Sequence, residues 1–301
     1  MKILLLSYTQ SGQMDEICGS FLRPFSSHSI DHVKVKPLKP FPFPWTPGSF
    51  FDAMPETVLE EPVELEPLMI PTVDYDLIVL GYQPWFLSPS LPTSSLLRDE
   101  EFKKAVKGKP VVSIIGSRNM WVSSQHSVNS LVSEAGAKVV ANVPLADKTN
   151  NLLSAVTILY WMLSGKKDRF LGIFPKPGVS DDDIAGASGA GEIVLKYAES
   201  GAYDGLQEAL CEAGFVEVST NILFIEKRGK MLFRIWARMI KRYGKSASSR
   251  RRWISFFKYY LFIALFIVAP IVLLVYNLLF LPFLFPSVKR EKQRIKLNRY
   301  Q

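Results

Sequence analysis

The feature that most restricts this chain is a run of twenty-seven residues, Tyr259–Phe285 (YYLFIALFIVAPIVLLVYNLLFLPFLF), that carries no charge. Its only polar, non-aromatic side chain is Asn277. A hydrocarbon core of about 30 Å takes about 20 helical residues, so the run is long enough to cross a bilayer with tilt or a kink. A buried core helix is seldom so long or so free of charge. Pro270 removes one backbone donor in mid-run, which membrane helices tolerate where neighbours satisfy the freed carbonyl. Trp253, Tyr259 and Tyr260 stand where an aromatic belt belongs.

Charge is distributed around that run. The 301 residues have a formal net charge of +8. Twelve Lys/Arg and no acid lie in 227–258, and six Lys/Arg against one Glu lie in 286–301, which leaves −9 for residues 1–226. An acidic N-terminal domain is a poor partner for phosphate backbones, so no nucleic-acid partner is expected. The larger number of cations ahead of the run predicts a single span at the cell inner membrane, with the N-terminal domain cytoplasmic. The tail is basic too, so a re-entrant hairpin turning at Pro270 stays open as the alternative. Lys230–Tyr243 has apolar residues at helical spacing among cations, the pattern of an interfacial helix on anionic lipid; packing on the soluble domain is the other reading. Gly244–Ser249 reads as a flexible joint. The expected division is 1–226 as the folded domain, 227–252 as a basic juxtamembrane helix and joint, 253–286 as the membrane-embedded segment and 287–301 as a basic tail. Membrane lipid is the first partner expected.

At the other end, Met1-Lys2 leads into Ile3–Leu6, too short for the apolar region of a secretory signal. Cys18 and Cys211 are far apart, and free buried thiols in a reducing compartment are expected.

The acidic domain alternates apolar runs with helical patterns. Ile3–Ser7, Val33–Val35, Asp76–Tyr82, Pro110–Gly116 and Ala137–Asn142 read as strands, and Met14–Leu22, Ser94–Val106 and Ser123–Ala135 as helices. Gly108 and Gly136 stand where helix C-caps belong. Continuous apolar strands fit a parallel sheet covered on both faces, hence an α/β, doubly wound, five-stranded fold. Ligands of such folds bind beyond the carboxyl ends of the strands, where strand order reverses.

Three loops lie at that edge. The first, Ser7–Gln13, offers the hydroxyls of Thr9 and Ser11, a permissive Gly12 and the backbone donors of a helix start, a phosphate cradle that is neither GxGxxG nor a P-loop. An ordinary Ser/Gly helix cap reads the same way. The loops after the third and fourth strands, Gly81–Pro89 and Gly116–Trp121, bring Trp85 and Trp121, suited to a flat conjugated ring or to ordinary burial.

YTQSGQ (Tyr8–Gln13) resembles the phosphate loop S/T-x-T-G-N of the flavodoxin-like family. YDLIVLGYQPWFLSPSLP (Tyr75–Pro92) and GKPVVSIIGSRNMW (Gly108–Trp121) are similar to its two flavin-ring loops. The resemblance implies FMN as cofactor, its phosphate at Thr9, Gln10, Ser11, Gly12 and Gln13. It places Gln83, Pro84, Trp85 and Phe86 on one side of the ring, and Ser117, Arg118, Asn119 and Trp121 on the other. Met14 departs from the pattern, which has a phosphate-binding Thr there. Over most of 1–226 the chain also resembles dialkylresorcinol condensing enzymes, through TQSGQ (Thr9–Gln13), PFPW (Pro42–Trp45), Tyr82–Pro92, RNMW (Arg118–Trp121) and Gly172–Ser180. Condensation of the ketosynthase kind needs a nucleophilic Cys with activating partners; Cys18 lies in an expected helix with no His near it in sequence, and Cys211 lies near the domain's end. A flavin fold suits instead the oxidation of a cyclic diketone to a resorcinol.

Other segments are read more plainly. Pro37–Pro47, with five prolines among Phe and Trp, is expected as a stiff lid over the site mouth rather than a polyproline II ligand. Asn151–Leu163 is an apolar helix too short to span. Ser180–Asp183 reads as a helix cap rather than a metal site, and Gly186–Gly191 as a loop. No metal-ligand spacing appears. His126 is the histidine nearest the ring loops and the one candidate proton donor. The expectation is a membrane-anchored FMN oxidoreductase acting on a hydrophobic ring precursor of resorcinol or aryl-polyene lipids. The electron donor is not readable. A flavin-less cyclase or dehydratase using acid–base groups and a non-catalytic membrane docking module are the alternatives.

Overall fold

The computed structural model describes residues 1–300. Five strands, β1 (Lys2–Ser7), β2 (Ser29–Lys34), β3 (Leu77–Tyr82), β4 (Pro110–Ser117) and β5 (Lys138–Ala146), form one parallel sheet in the order β2-β1-β3-β4-β5. That is the flavodoxin-like doubly wound order, as expected, with its reversal between β1 and β3. Ile3–Leu6 and Leu77–Tyr82 are buried throughout, because helices cover both faces. Each such aliphatic side chain contributes roughly 1.5–3 kcal/mol relative to exposure. The edge strand β2 begins at Ser29, four residues before the apolar signal, since an edge position half exposed to water needs no continuous apolar run.

The helices are α1 (Gln13–Phe21), α2 (Pro47–Asp52), α3 (Met54–Leu59), α4 (Leu91–Leu96), α5 (Glu100–Val106), α6 (Val122–Glu134), α7 (Asn151–Ser164), α8 (Asp181–Ser200), α9 (Leu206–Glu212), α10 (Thr220–Tyr243) and α11 (Ala247–Lys296). The expected helix Ser94–Val106 is two, because Asp99 restarts it by accepting from Glu101 N at 2.8 Å. Gly186–Gly191 is not a loop. It lies inside α8, where a Cβ on Gly191 would stand 2.0 Å from the Phe21 carbonyl oxygen. Small residues there let α8 close onto the last turn of α1. Ser180 caps α8 by accepting from Asp183 N at 3.1 Å.

The C-terminal quarter is more helical than its sequence suggests. The amphipathic helix starts ten residues earlier, at Thr220. The joint shrinks to Gly244–Ser246, because the Ser246 hydroxyl accepts from Ser249 N at 3.2 Å and caps α11. α11 is fifty residues, long and apolar enough to cross a membrane. It widens into π turns at Ala264–Val268, just ahead of Pro270, and at Tyr276–Phe280. α10 lies between the domain and α11, packed on α3 and α6 on one side and on α11 on the other.

Candidate functional site

The three loops follow β1, β3 and β4 at the carboxyl edge of the sheet; the first touches the second through Tyr8 and Trp85, and the second and third share a cavity. In the first, Gly12 takes a φ of +89° to start α1, and Thr9 Oγ1 accepts from Gly12 N at 3.0 Å. Gln10 Nε2 donates to Pro42 O at 2.9 Å. The Gln13 amide grips one residue twice, donating to Val179 O at 3.1 Å and accepting from Val179 N at 3.2 Å. The polar side chains are thus used as tethers. Among the described residues the backbone N–H groups of Thr9, Gln10, Ser11 and Gln13 have no hydrogen-bond partner. Successive free donors at a helix start form an anion-binding concavity. Met14 does not face it. Its side chain is buried beneath the sheet edge, where a Cβ on Gly116 would come within 2.8 Å of it, and its sulfur receives the Cys18 thiol at 3.5 Å. Burial pushes that thiol well above its ordinary pKa and leaves it inert.

The second loop is a tight hairpin. Pro84–Trp85 pairs with Ser88–Pro89, and Phe86 and Leu87 turn the chain with φ of 46° and 64°. Both values lie in the left-handed region, at a cost of about 1–2 kcal/mol per residue. The Gln83 carbonyl accepts from Ser90 N at 3.1 Å. Trp85 is 8% exposed and packs edge-on to Tyr8 at 5.9 Å, Phe41 at 5.1 Å and Trp45 at 5.5 Å. Phe41 and Trp45 come from the proline-rich segment, which is tied down by Trp45 N donating to Met162 O at 2.7 Å. Phe86 turns the other way, onto Phe50 at 4.8 Å.

In the third loop Arg118 is half-buried, and Nη1 donates to Asn151 O at 3.0 Å. Loss of solvent pushes its pKa down to about 10, against the opposing charge of Asp147. Asn119 Nδ2 donates to Asn151 Oδ1 at 2.8 Å. Ser117 Oγ and Asn119 Oδ1 are buried without partners, an arrangement that costs stability unless something else satisfies them. Trp121 is 3% exposed. His126 is not brought to these loops. It lies exposed on α6, its ring 5.5 Å from that of Tyr300.

Two features escape a linear reading. A cavity of about 630 Å³ adjoins the second and third loops through Pro84, Phe86, Arg118 and Met120. Its remaining walls come from α2 (Phe50, Phe51), from α7, from α10 (Phe224, Arg228, Phe233) and from α11 (Leu261, Leu265, Val268). None of Thr9–Gln13 lines it. The apolar stripe of α10 was the only signal available, and it does not say what it faces. The second feature is a buried polar cluster. Glu226 Oε1 accepts from Ser123 N at 2.5 Å while Oε2 has no partner, and burial raises its carboxyl pKa. Lys230 donates to Glu60 Oε1 at 3.2 Å, to Leu87 O at 3.1 Å and to the Ser88 hydroxyl, with its pKa lowered by burial. Tyr82 OH donates to Gln125 Oε1 at 2.9 Å, Gln125 Nε2 to Asn129 Oδ1 at 2.7 Å, and Asn129 Nδ2 to Asn298 Oδ1 at 2.9 Å. That chain of bonds joins the end of β3 to the C-terminal tail.

No protein-family model matches this chain, and no curated protein matches it. Solved structures similar to it are flavodoxin-like flavoproteins. A flavoprotein in complex with FMN from Lactobacillus acidophilus is 20% identical, with 48% of this chain and 92% of that one covered at a TM-score of 0.40. A flavodoxin from the domain Archaea is 11% identical, with 66% and 99% covered and a TM-score of 0.36. Flavodoxin 1 from Bacillus cereus is 17% identical, with 55% and 99% covered and a TM-score of 0.27.

Proposed function

We propose that this chain is a membrane-held FMN oxidoreductase acting on a hydrophobic ring precursor, of the kind met in resorcinol and aryl-polyene lipids. The unpartnered N–H groups of Thr9, Gln10, Ser11 and Gln13 carry the reading, because they offer a phosphate a set of donors already in place. The buried, unsatisfied Ser117 Oγ and Asn119 Oδ1 suit the polar rim of a ring lying along the third loop, and Arg118 adds positive charge there. Bound flavin would supply two-electron redox chemistry that the side chains lack. The neighbouring apolar cavity, walled in part by α11, suits a substrate drawn from lipid.

A second reading follows from Trp85 and Trp121. A ring that stacks on a ligand needs a bare face; Trp85 packs against Phe41 and Trp45, and Trp121 is buried. On that reading the domain is a docking module or a flavin-less enzyme of the same pathway. Titration of detergent-purified protein with FMN, followed by quenching of flavin fluorescence, separates the two. Saturable binding weakened at least tenfold in Gly12→Val, whose φ a branched residue adopts only with strain, is the expected result. No quenching and no visible absorbance would leave the docking reading.

A further inference from the structure

Both ends of α11 are fastened to the same domain. At its start, Arg250 Nε donates to Asp52 Oδ1 at 2.6 Å and Nη2 to Glu56 Oε2 at 2.8 Å. At its end, Ile295 is buried in the domain core, and Gln207 Nε2 donates to Lys296 O at 2.8 Å. Just past it, Arg299 pairs with Glu208 at 3.1 Å. In between, Phe257 packs on Phe233 at 5.5 Å, Tyr260 on Trp236 at 5.1 Å and Tyr276 on Phe224 at 3.8 Å. A straight helix of fifty residues is about 75 Å long. Standing upright in a bilayer, it would carry its far end to the opposite side, away from Asn129, Gln207 and Glu208.

The neighbours of α11 point the same way. If Leu261–Phe280 crossed the hydrocarbon in this packing, the stretch Phe224–Trp236 of α10 beside it would enter too. That stretch brings Lys227, Arg228, Lys230 and Arg234. Several cations at such depth are strongly unfavourable. The outward side of α11, by contrast, is exposed and apolar, with Phe262, Ile267, Ile271, Leu274, Leu278 and Phe283 on it. Exposed Arg251 and Arg252 precede this face, and exposed Lys289 and Arg290 follow it.

We propose that α11 does not cross the bilayer but lies within one leaflet, its outward face among the acyl chains. The acidic domain and the basic tail then share one side of the membrane, and the partner is an anionic phospholipid leaflet, whose headgroups meet the cations at both ends. The wall of the 630 Å³ cavity formed by Leu261–Val272 is itself immersed in that leaflet. The inference rests on the membrane-held reading above and is independent of whether FMN binds.

The test uses the full chain, added to sealed vesicles of phosphatidylglycerol and phosphatidylethanolamine and recovered by flotation. Reporter cysteines replace exposed residues on either side of the apolar run, Lys245→Cys and Ser287→Cys. A membrane-impermeant maleimide is added outside the vesicles, with wild type giving the background from Cys18 and Cys211. Both reporters should label without detergent, to within twofold of each other. Labelling of Lys245→Cys before detergent and of Ser287→Cys only after it would overturn the proposal. A depth measurement gives an independent check. Fluorophores on Ile263→Cys, Ile271→Cys and Leu278→Cys, quenched by nitroxide lipids, should sit at one depth. A maximum at the bilayer midplane for Ile271→Cys, with shallower neighbours, would overturn it as well. Full chain that fails to float removes the membrane-held reading and this inference together. Flotation with the reporters on opposite sides removes this inference alone.

Discussion

The two halves of the sheet's carboxyl edge are built on opposite plans. Around Tyr8–Gln13 the side chains are fixed by tethers and the backbone donors are left over. Around the second and third loops Trp85 packs against other rings, Trp121 is buried, and Ser117 Oγ and Asn119 Oδ1 are left without partners. One half keeps backbone donors free, which on the proposed reading an anion would take up. The other half must be uncovered before a flat ring can lie against it. On the proposed reading, the proline-rich segment, whose Phe41 and Trp45 pack on Trp85, bears on access to the second loop more than Tyr8–Gln13 does.

The largest expected effect lies beneath the ready half. α1 carries the cradle, and α8 holds α1 in place through the close approach at Gly191. A side chain there meets a backbone oxygen that has no room to retreat. Gly191→Leu should therefore lower stability by about 5 kcal/mol, at the far end of single-substitution effects. Denaturant unfolding of the detergent-purified protein reads this directly. A denaturant curve unchanged from wild type would mean that the first loop and α1 do not depend on α8.

Next comes the closed half. Trp45→Ala removes one of the rings over Trp85 and should lower stability by about 3–5 kcal/mol, the usual loss for deleting a buried aromatic. It should also bare a face of Trp85, seen as a red shift and as easier iodide quenching of tryptophan fluorescence. If the segment guards a ring slot, FMN binding should tighten in this variant although the protein is weaker. Equal loss of both stability and binding would break the contrast between the halves.

The sheet was legible because buried parallel strands write themselves as apolar runs, so Ile3–Ser7, Asp76–Tyr82 and Pro110–Gly116 stand within two residues of their observed ends. The loops followed from the strands. Gly186–Gly191 was illegible for a specific reason: glycine argues locally for a loop, whereas here it serves a contact with Phe21, 170 positions upstream of Gly191 in sequence. The cavity was illegible for the same kind of reason, since Phe86 and Arg118 meet α10 and α11 across more than a hundred residues. His126 shows the converse error available to sequence reasoning. Its nearness to Trp121 along the chain is real, yet one turn of α6 carries it away from the loops to an exposed position beside Tyr300.

The smallest effect probes how tightly the closed half is sealed. Glu226 sits under the third loop, with one oxygen on Ser123 N and the other unpartnered, and desolvation raises its carboxyl pKa above the ordinary 4.5. A raised folded-state value means that the folded protein holds this proton more tightly than the unfolded chain. The resulting penalty is absent below about pH 4.5, grows as pH climbs through the folded value, and is fully present above it. Glu226→Gln keeps an oxygen for Ser123 N and carries no charge to bury. Its stability should match wild type near pH 4 and exceed it by about 1 kcal/mol at pH 7 to 8, the scale of one unsatisfied buried polar group. Denaturant midpoints taken across that range read the difference. A gap that stays flat with pH would show water reaching Glu226, and with it a third loop as open as the first.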